Sequence, residues 1–228
     1  MQEELLIRPI AHIRTDFHDK FGVPRQSGRV PDAHGTIVFE PAYRNPDALR
    51  GIEGFSHLWL IFDFSLAHRE GWSPTVRPPR LGGNRRIGVF ASRSPFRPNP
   101  LGLSSVRLLS VETTADGPCL HVAGADLVDG TPIFDIKPYL PFSDAHEDAS
   151  AGYAAEGLGH RLSVTVAEGV SLPLGQERLD VLLACLAEDP RPSYRDEPRR
   201  VYSMCFAGLD VHFTVEGERL TVVGYDPM

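Results

Sequence analysis

The amino-acid sequence predicts a mainly β protein, a single-sheeted closed β-barrel followed by a small α+β unit. Three observations lead there. About seven short apolar segments of strand character precede Pro138, separated by turn-rich stretches and only one short helical one. Gly 21 and Pro 20 are high for a helical protein and suit many strands and turns. The strands do not alternate with crossover helices, which disfavours a doubly wound parallel sheet and leaves a closed or nearly closed barrel. The 228 residues, 42% hydrophobic and 23% charged, suffice for a sizeable core in one main domain with a small addition.

The first strand is read at Leu5–Ile13, with Pro9 marking an edge or bulge, and the second at Gly35–Glu40. Between them, Thr15–Pro31 is polar and turn-rich. Asn45-Pro46 and Gly51 frame a short helix with an Asn cap, Pro at its first position and a Gly stop. His57–Phe64 is almost continuously apolar and reads as a central, well-buried strand. A long loop, Ser65–Arg85, follows; at that length a loop without structure of its own is functional or disordered. Arg86–Ala91, Leu101–Glu112, Pro118–Ala125 and Thr131–Lys137 complete the strands, with Asp129-Gly130 as a tight-turn signal. The boundary is placed near Ala145–Gly159, giving a barrel domain over 1–148 and an α+β unit over 149–228. The second unit has a strand at Arg161–Ala167 and a helix at Gln176–Asp189 with a stripe of Leu179, Leu182, Leu183 and Leu186. A meander of Val201–Phe206, Leu209–Val215 and Arg219–Tyr225 closes it.

Ala91–Ser104, ASRSPFRPNPLGLS, is the stiffest stretch of the chain. Three prolines fix their own φ and push Ser94, Arg97 and Asn99 toward extended backbone. That rigidity suits a preorganised loop presenting Arg93, Arg97 and Asn99. It sits inside a charge anomaly. The formal net charge is −7, yet Gly71–Val111 holds seven arginines and no lysine or acid, so the rest of the chain carries −14. Arginine suits bidentate contacts to phosphate or carboxylate and stacking on bases.

Other chemistry is poorly supported. No metal site is expected, because the nine histidines and three cysteines show no H-x-H, HExxH or C-x-x-C spacing. There is no G-x-S-x-G elbow, Walker A or G-x-G-x-x-G, which removes the motif case for a hydrolase, an NTPase or a dehydrogenase. Three unpaired-looking cysteines, no membrane-length apolar run and an N-terminus opening on Glu3-Glu4 lead us to expect a cytoplasmic protein. What remains is a set of loops with anchored polar residues: Pro24-Arg25-Gln26, the arginine loop, Arg93–Leu103 and Asp126–Thr131. Loops after distant strands of a barrel converge at one end, where ligands bind. Asp135, Lys137 and Tyr139 alternate along one strand end and so share a face, as catalytic groups or as a solvated edge.

Several segments resemble the TsaA-like family, and within it the TrmO tRNA methyltransferases. They include Phe21–Gln26, Gly54–Trp59, Gly71-Trp72 through Pro74–Asn84, Gly88–Ala91, Phe96–Pro100, Asp126–Pro132, Asp135–Pro141 and, in the tail, Asp189–Arg195. The resemblance spans nearly the whole chain. It implies a single-sheeted barrel methyltransferase, usually a homodimer, that uses S-adenosyl-L-methionine to methylate N6 of the threonylcarbamoyl-adenosine 3′ of the tRNA anticodon. Its implied cofactor residues are Pro24, Arg25, Gln26, Ser65, Leu66, Arg93, Leu103, Leu127, Val128, Asp129 and Gly130. Ser65-Leu66 departs from the His-Gln of a relative, which leaves backbone contacts as the expectation there. Asp135 is the candidate to take the N6 proton, with Lys137 or Tyr139 orienting the threonyl carboxylate. Arg77, Arg80, Arg85, Arg86, Arg191, Tyr194 and Arg195 are the candidates to hold the anticodon stem-loop. The competing readings are a non-catalytic adenine-nucleotide or RNA-binding module, and a methyltransferase for another small substrate.

Overall fold

A computed structural model describes residues 5–78, 85–156, 159–191 and 200–228. Six antiparallel strands close a barrel in the order β1-β2-β7-β6-β3-β8. They are β1 Ala11–Thr15, β2 His34–Phe39, β3 His57–Asp63, β6 Leu101–Thr114, β7 Gly117–Ala123 and β8 Pro132–Pro138. Two-residue strands β4 Thr75–Val76 and β5 Ile87–Gly88 pair with each other outside it. The strand expected at Arg86–Ala91 is therefore not a barrel stave; after Gly88 the chain turns into a 3₁₀ helix, Val89–Ala91. Its apolar residues are too few to fill a face, and only Val89 is buried. The first strand also starts later than expected, because Pro9 withholds the N–H that a ladder needs. The short helix before β3 is 3₁₀, Pro46–Leu49, with the Asn45 side chain accepting from the Asp47 N–H.

Closure gives every stave one core face. Ile13, Ile37, Leu58, Leu60, Leu120, Val122 and Ile133 are fully buried inside. β3 accordingly alternates rather than lying buried on both sides: Leu58, Leu60 and Phe62 point in, and Trp59 and Ile61 line the outer wall. Gly102 is what lets the barrel close over the Phe62 ring. A Cβ there would lie 2.2 Å from that ring, so no larger residue fits without moving it.

After β8 a one-turn helix, α1 Pro141–Asp144, leads to the second unit. This is a four-stranded sheet in the order β10-β11-β12-β9, from β9 Ser163–Val166, β10 Tyr202–Phe206, β11 Leu209–Glu216 and β12 Arg219–Pro227, covered by α2 Gln176–Ala187. α2 ends where Asp189 enters the left-handed region at φ 50, ahead of Pro190. Its core holds Leu182, Leu186, Phe206, Phe213 and Leu220. Phe17, Val30 and Ala33 of the β1–β2 loop belong to the same core, with Phe17 edge-on to Phe206 at 5.5 Å. By packing, then, the first loop of the barrel is part of the second unit.

Candidate functional site

Strand direction decides which loops meet. Thr15, Asp63, Ala123, Leu101 and Pro132 are the strand ends at one mouth of the barrel, as the registers of β1, β3, β6, β7 and β8 require. Three loops therefore leave the same mouth: 16–33, 64–100 and 124–131. They carry nearly every residue that the sequence assigns to the cofactor.

The loops hold one another. Arg93 Nη1 donates to Gln26 Oε1 at 2.6 Å, and the Gln26 amide donates to the Arg25 carbonyl. The Lys20 ammonium donates to the Leu66 carbonyl, joining the first loop to the 3₁₀ helix Ser65–Ala67. Gly28 and Ala125 donate backbone hydrogen bonds to Gly124 and Ala33. Arg97 Nη1 donates to the Ser92 carbonyl at 3.1 Å, so this guanidinium shapes the proline loop from within.

Asp126 sits where the loops meet, and sequence reasoning passed it over. Its Oδ1 is buried with no hydrogen-bond partner. Burial pushes its carboxyl up from 3.8 to about 6, against hydrogen bonding from the Ser104 side chain and from the backbone at Asp126 and Ser27, and against the charge of Arg93. Ser104, at 3% exposed, is the buried neighbour on β6. A buried, unpartnered acceptor costs about 1–3 kcal/mol, which a ligand donor recovers. Only the position of Asp126 within the DLVDG run marked it in the sequence, and burial is not readable there.

The structure divides the remaining cofactor candidates. Pro24 is buried in the first loop. Arg25 Nη2 donates to the Asp189 and Arg191 carbonyls at 2.9 and 3.0 Å, so it ties the barrel loop to the tail. Leu127 is buried in the barrel core, and its carbonyl and that of Val128 accept from Thr15 and Thr131 hydroxyls. Asp129 Oδ1 accepts from the Thr15 N–H at 2.9 Å, while Gly130 takes φ +75, which a side chain would oppose. Thr15 of β1 and the side chains of Asp129 and Thr131 thus hold this turn. Leu103 lies outside the barrel, across Ile61 from Asp135.

Asp135, Lys137 and Tyr139 do share a face, on that outer wall. A bulge at Ile61/Phe62 turns Asp135 outward, and Lys137 Nζ lies 2.8 Å from its Oδ2. Tyr139 packs on Trp59 at 5.5 Å, and the Trp59 indole donates to Asp144 at 2.7 Å. The N–H of Leu140 and that indole hold the Asp144 carboxyl below its usual value.

The arginine segment forms an exposed surface on the 64–100 loop. Arg77, Arg85 and Arg86 are exposed; Arg85 pairs with Glu156 at 3.0 Å and Arg86 donates to Thr75 Oγ1. Trp72 and Phe90 stand out beside them, 52% and 73% exposed and 6.1 Å apart, and Arg69 lies over the Phe96 ring at 4.4 Å. Arg191, by contrast, is mostly buried and bidentate on Asp189, at 2.9 and 3.0 Å, so it buttresses the tail. Arg80, Tyr194 and Arg195 lie outside the described residues.

Two family models match the chain, the tRNA-methyltransferase O N-terminal domain over residues 12–145 and the TrmO C-terminal domain over residues 163–227. A tRNA (adenine(37)-N6)-methyltransferase of Escherichia coli is 43% identical, over 96% of this chain and 96% of the relative. A putative S-adenosylmethionine-dependent methyltransferase, RcsF, of Pseudomonas aeruginosa is 42% identical over 91% of each chain. Among solved structures, a TrmO from Pseudomonas aeruginosa superposes with a TM-score of 0.81 at 34% identity, covering 100% of this chain and 99% of that one.

Proposed function

The chain belongs to the tRNA-methyltransferase O family, and from that premise we propose that it methylates N6 of threonylcarbamoyl-adenosine at position 37 of tRNA. It is an S-adenosylmethionine-dependent tRNA methyltransferase. The observation that carries the reading to this site is the unpartnered Asp126 oxygen at the meeting of the loops bearing Gln26, Arg93 and Asp129. An acceptor without a partner beside a guanidinium and an amide fits a ligand that carries amine and hydroxyl donors together with a carboxylate. When bound, S-adenosylmethionine supplies a sulfonium-activated methyl group.

The protein's part is to place and to neutralise. Asp126 would take a donor of the cofactor, Arg93 and Gln26 would fix its polar end, and the backbone at Ser65-Leu66 and Leu127–Gly130 would wall it. Holding two reactants in line supplies much of the rate in such transfers. The lone pair of N6 is delocalised into the purine and the neighbouring carbonyl, so a group accepting its proton helps; we assign that to Asp135. Lys137, already beside Asp135, offers an exposed ammonium to the threonyl carboxylate, and Tyr139 supports the same wall. Asp135→Asn is expected to lower kcat by about 10²-fold or more with little change in KM; full turnover in that variant would remove Asp135 from the role.

Arg77, Arg85 and Arg86, with Trp72 and Phe90, would meet the anticodon loop through phosphates and stacked bases. For three phosphate contacts to a single strand, affinity should fall roughly 20-fold between about 50 and 200 mM salt. A flat salt response counts against this surface. We also assign the outward leucines of β6, Leu101, Leu103 and Leu109, to the contact between two copies of the chain. Light scattering should then give twice the chain mass, and a monomer at working concentration refutes it. The substrate itself is tested by nucleoside mass spectrometry of tRNA from a strain lacking the protein. The methylated threonylcarbamoyl-adenosine should vanish and its unmethylated form accumulate; an unchanged profile overturns the assignment.

A further inference from the structure

At the opposite end of the barrel, Glu112, Cys119 and His121 bring three ligand atoms of different kind together on the outer wall, all within 4.8 Å of one another. β6 and β7 place them: Glu112 pairs directly with Cys119, and His121 lies two residues on, on the same side. The His121 Nε2 is 2.8 Å from Glu112 Oε2, and Cys119 Sγ is 3.9 Å from that nitrogen and 4.0 Å from that oxygen. The other ring nitrogen, Nδ1, lies 3.2 Å from the Thr36 hydroxyl on β2. We propose that these three side chains form a binding site for a zinc-like divalent cation, the protein supplying a Cys-His-Glu set and water the fourth position.

Geometry supports it first. A tetrahedral zinc with Zn–S of about 2.3 Å and Zn–N and Zn–O of about 2.0 Å separates sulfur from nitrogen and oxygen by about 3.5 Å, and nitrogen from oxygen by about 3.3 Å. The observed separations bracket these values, so side-chain shifts of about 0.5 Å suffice without moving the sheet. The second contact of His121 supports it next. With Nε2 on the metal the ring proton sits on Nδ1 and donates to Thr36 Oγ1, the outer contact that orients metal-bound imidazoles. Binding releases the thiol proton to solvent. The pattern escapes a motif search because two ligands lie on one strand as C-x-H and the third comes from the partner strand.

Cobalt(II) added to the metal-free 228-residue chain is the test. The wild type should show a near-ultraviolet thiolate-to-cobalt charge-transfer band that saturates at one ion per chain and is displaced by zinc. Cys119→Ser should abolish the band. Glu112→Gln, at a side chain that is 58% exposed and so leaves the fold intact, should weaken cobalt affinity by at least about tenfold. Cys185→Ser combined with Cys205→Ser, in the second unit, should leave the band unchanged. No band in the wild type, its survival in Cys119→Ser, or unaltered affinity in Glu112→Gln overturns the site.

Discussion

Asp126→Asn is expected to make the free protein more stable and to weaken S-adenosylmethionine binding about 10–100-fold, two effects of opposite sign from one buried carboxyl. The stability half follows from linkage. The carboxyl titrates near 6 when folded and near 3.8 when exposed, so the folded state holds its proton more tightly. Stability from this group is complete below the unfolded value and falls as pH rises through the folded one, by up to about 3 kcal/mol at 1.36 kcal/mol per unit. Asparagine cannot ionise and does not incur this loss. The variant should therefore gain up to about that amount in urea denaturation near pH 8, and match the wild type in acid below about pH 4. The binding half follows because the ionised carboxylate would accept a charge-assisted hydrogen bond from the ligand, which the neutral amide oxygen of asparagine accepts more weakly. Cofactor affinity of the wild type should rise with pH through about 6 as the carboxylate forms, and the variant should lose that dependence. If calorimetry finds equal affinity in the two proteins, Asp126 is a structural residue.

Glu188→Ala should cost about 2–4 kcal/mol and loosen the first loop. Glu188 is 8% exposed at the end of α2 and receives two guanidinium groups. Arg29 of the β1–β2 loop donates to both of its oxygens at 2.9 and 3.0 Å, and Arg161, ahead of β9, lies 3.0 Å away. Removing the carboxylate leaves the positive charges facing each other, with Arg29 only 26% exposed. Arg161 is half exposed, and solvent moderates its share. Because Gln26 rides on the same loop, cofactor affinity should fall alongside stability. The double variant Arg29→Met with Glu188→Leu should recover most of the lost stability, since an apolar pair replaces a buried ion pair at little cost. A loss below about 0.5 kcal/mol in Glu188→Ala denaturation would show that the shared core of Phe17, Val30 and Ala33 holds the loop alone.

Much of this protein was legible in its residue order. The short apolar segments before Pro138, the turn signal at Asp129-Gly130 and the absence of crossover helices point to the barrel, because strand character and turn chemistry are local properties. The stiff proline loop and the acid-free arginine run are local as well, and both reappear as the 64–100 loop with its exposed guanidinium groups and aromatic rings. The long shared segments gave the family. Three things depended on contacts between distant residues. Arg25 and Arg191 read as ligand-facing, yet their guanidinium groups are taken up by the Asp189 turn. The 17–33 loop reads as part of the barrel, but packs into the second core. The Glu112–Cys119–His121 cluster carries no motif, and Asp126, though inside the Asp126–Pro132 segment, shows nothing of its burial in the residue order. Burial, desolvation and the meeting of side chains from separate strands are set by which surfaces the closed sheet brings together. Only the tertiary structure could assign a raised carboxyl to the loop junction and a three-ligand set to the far wall.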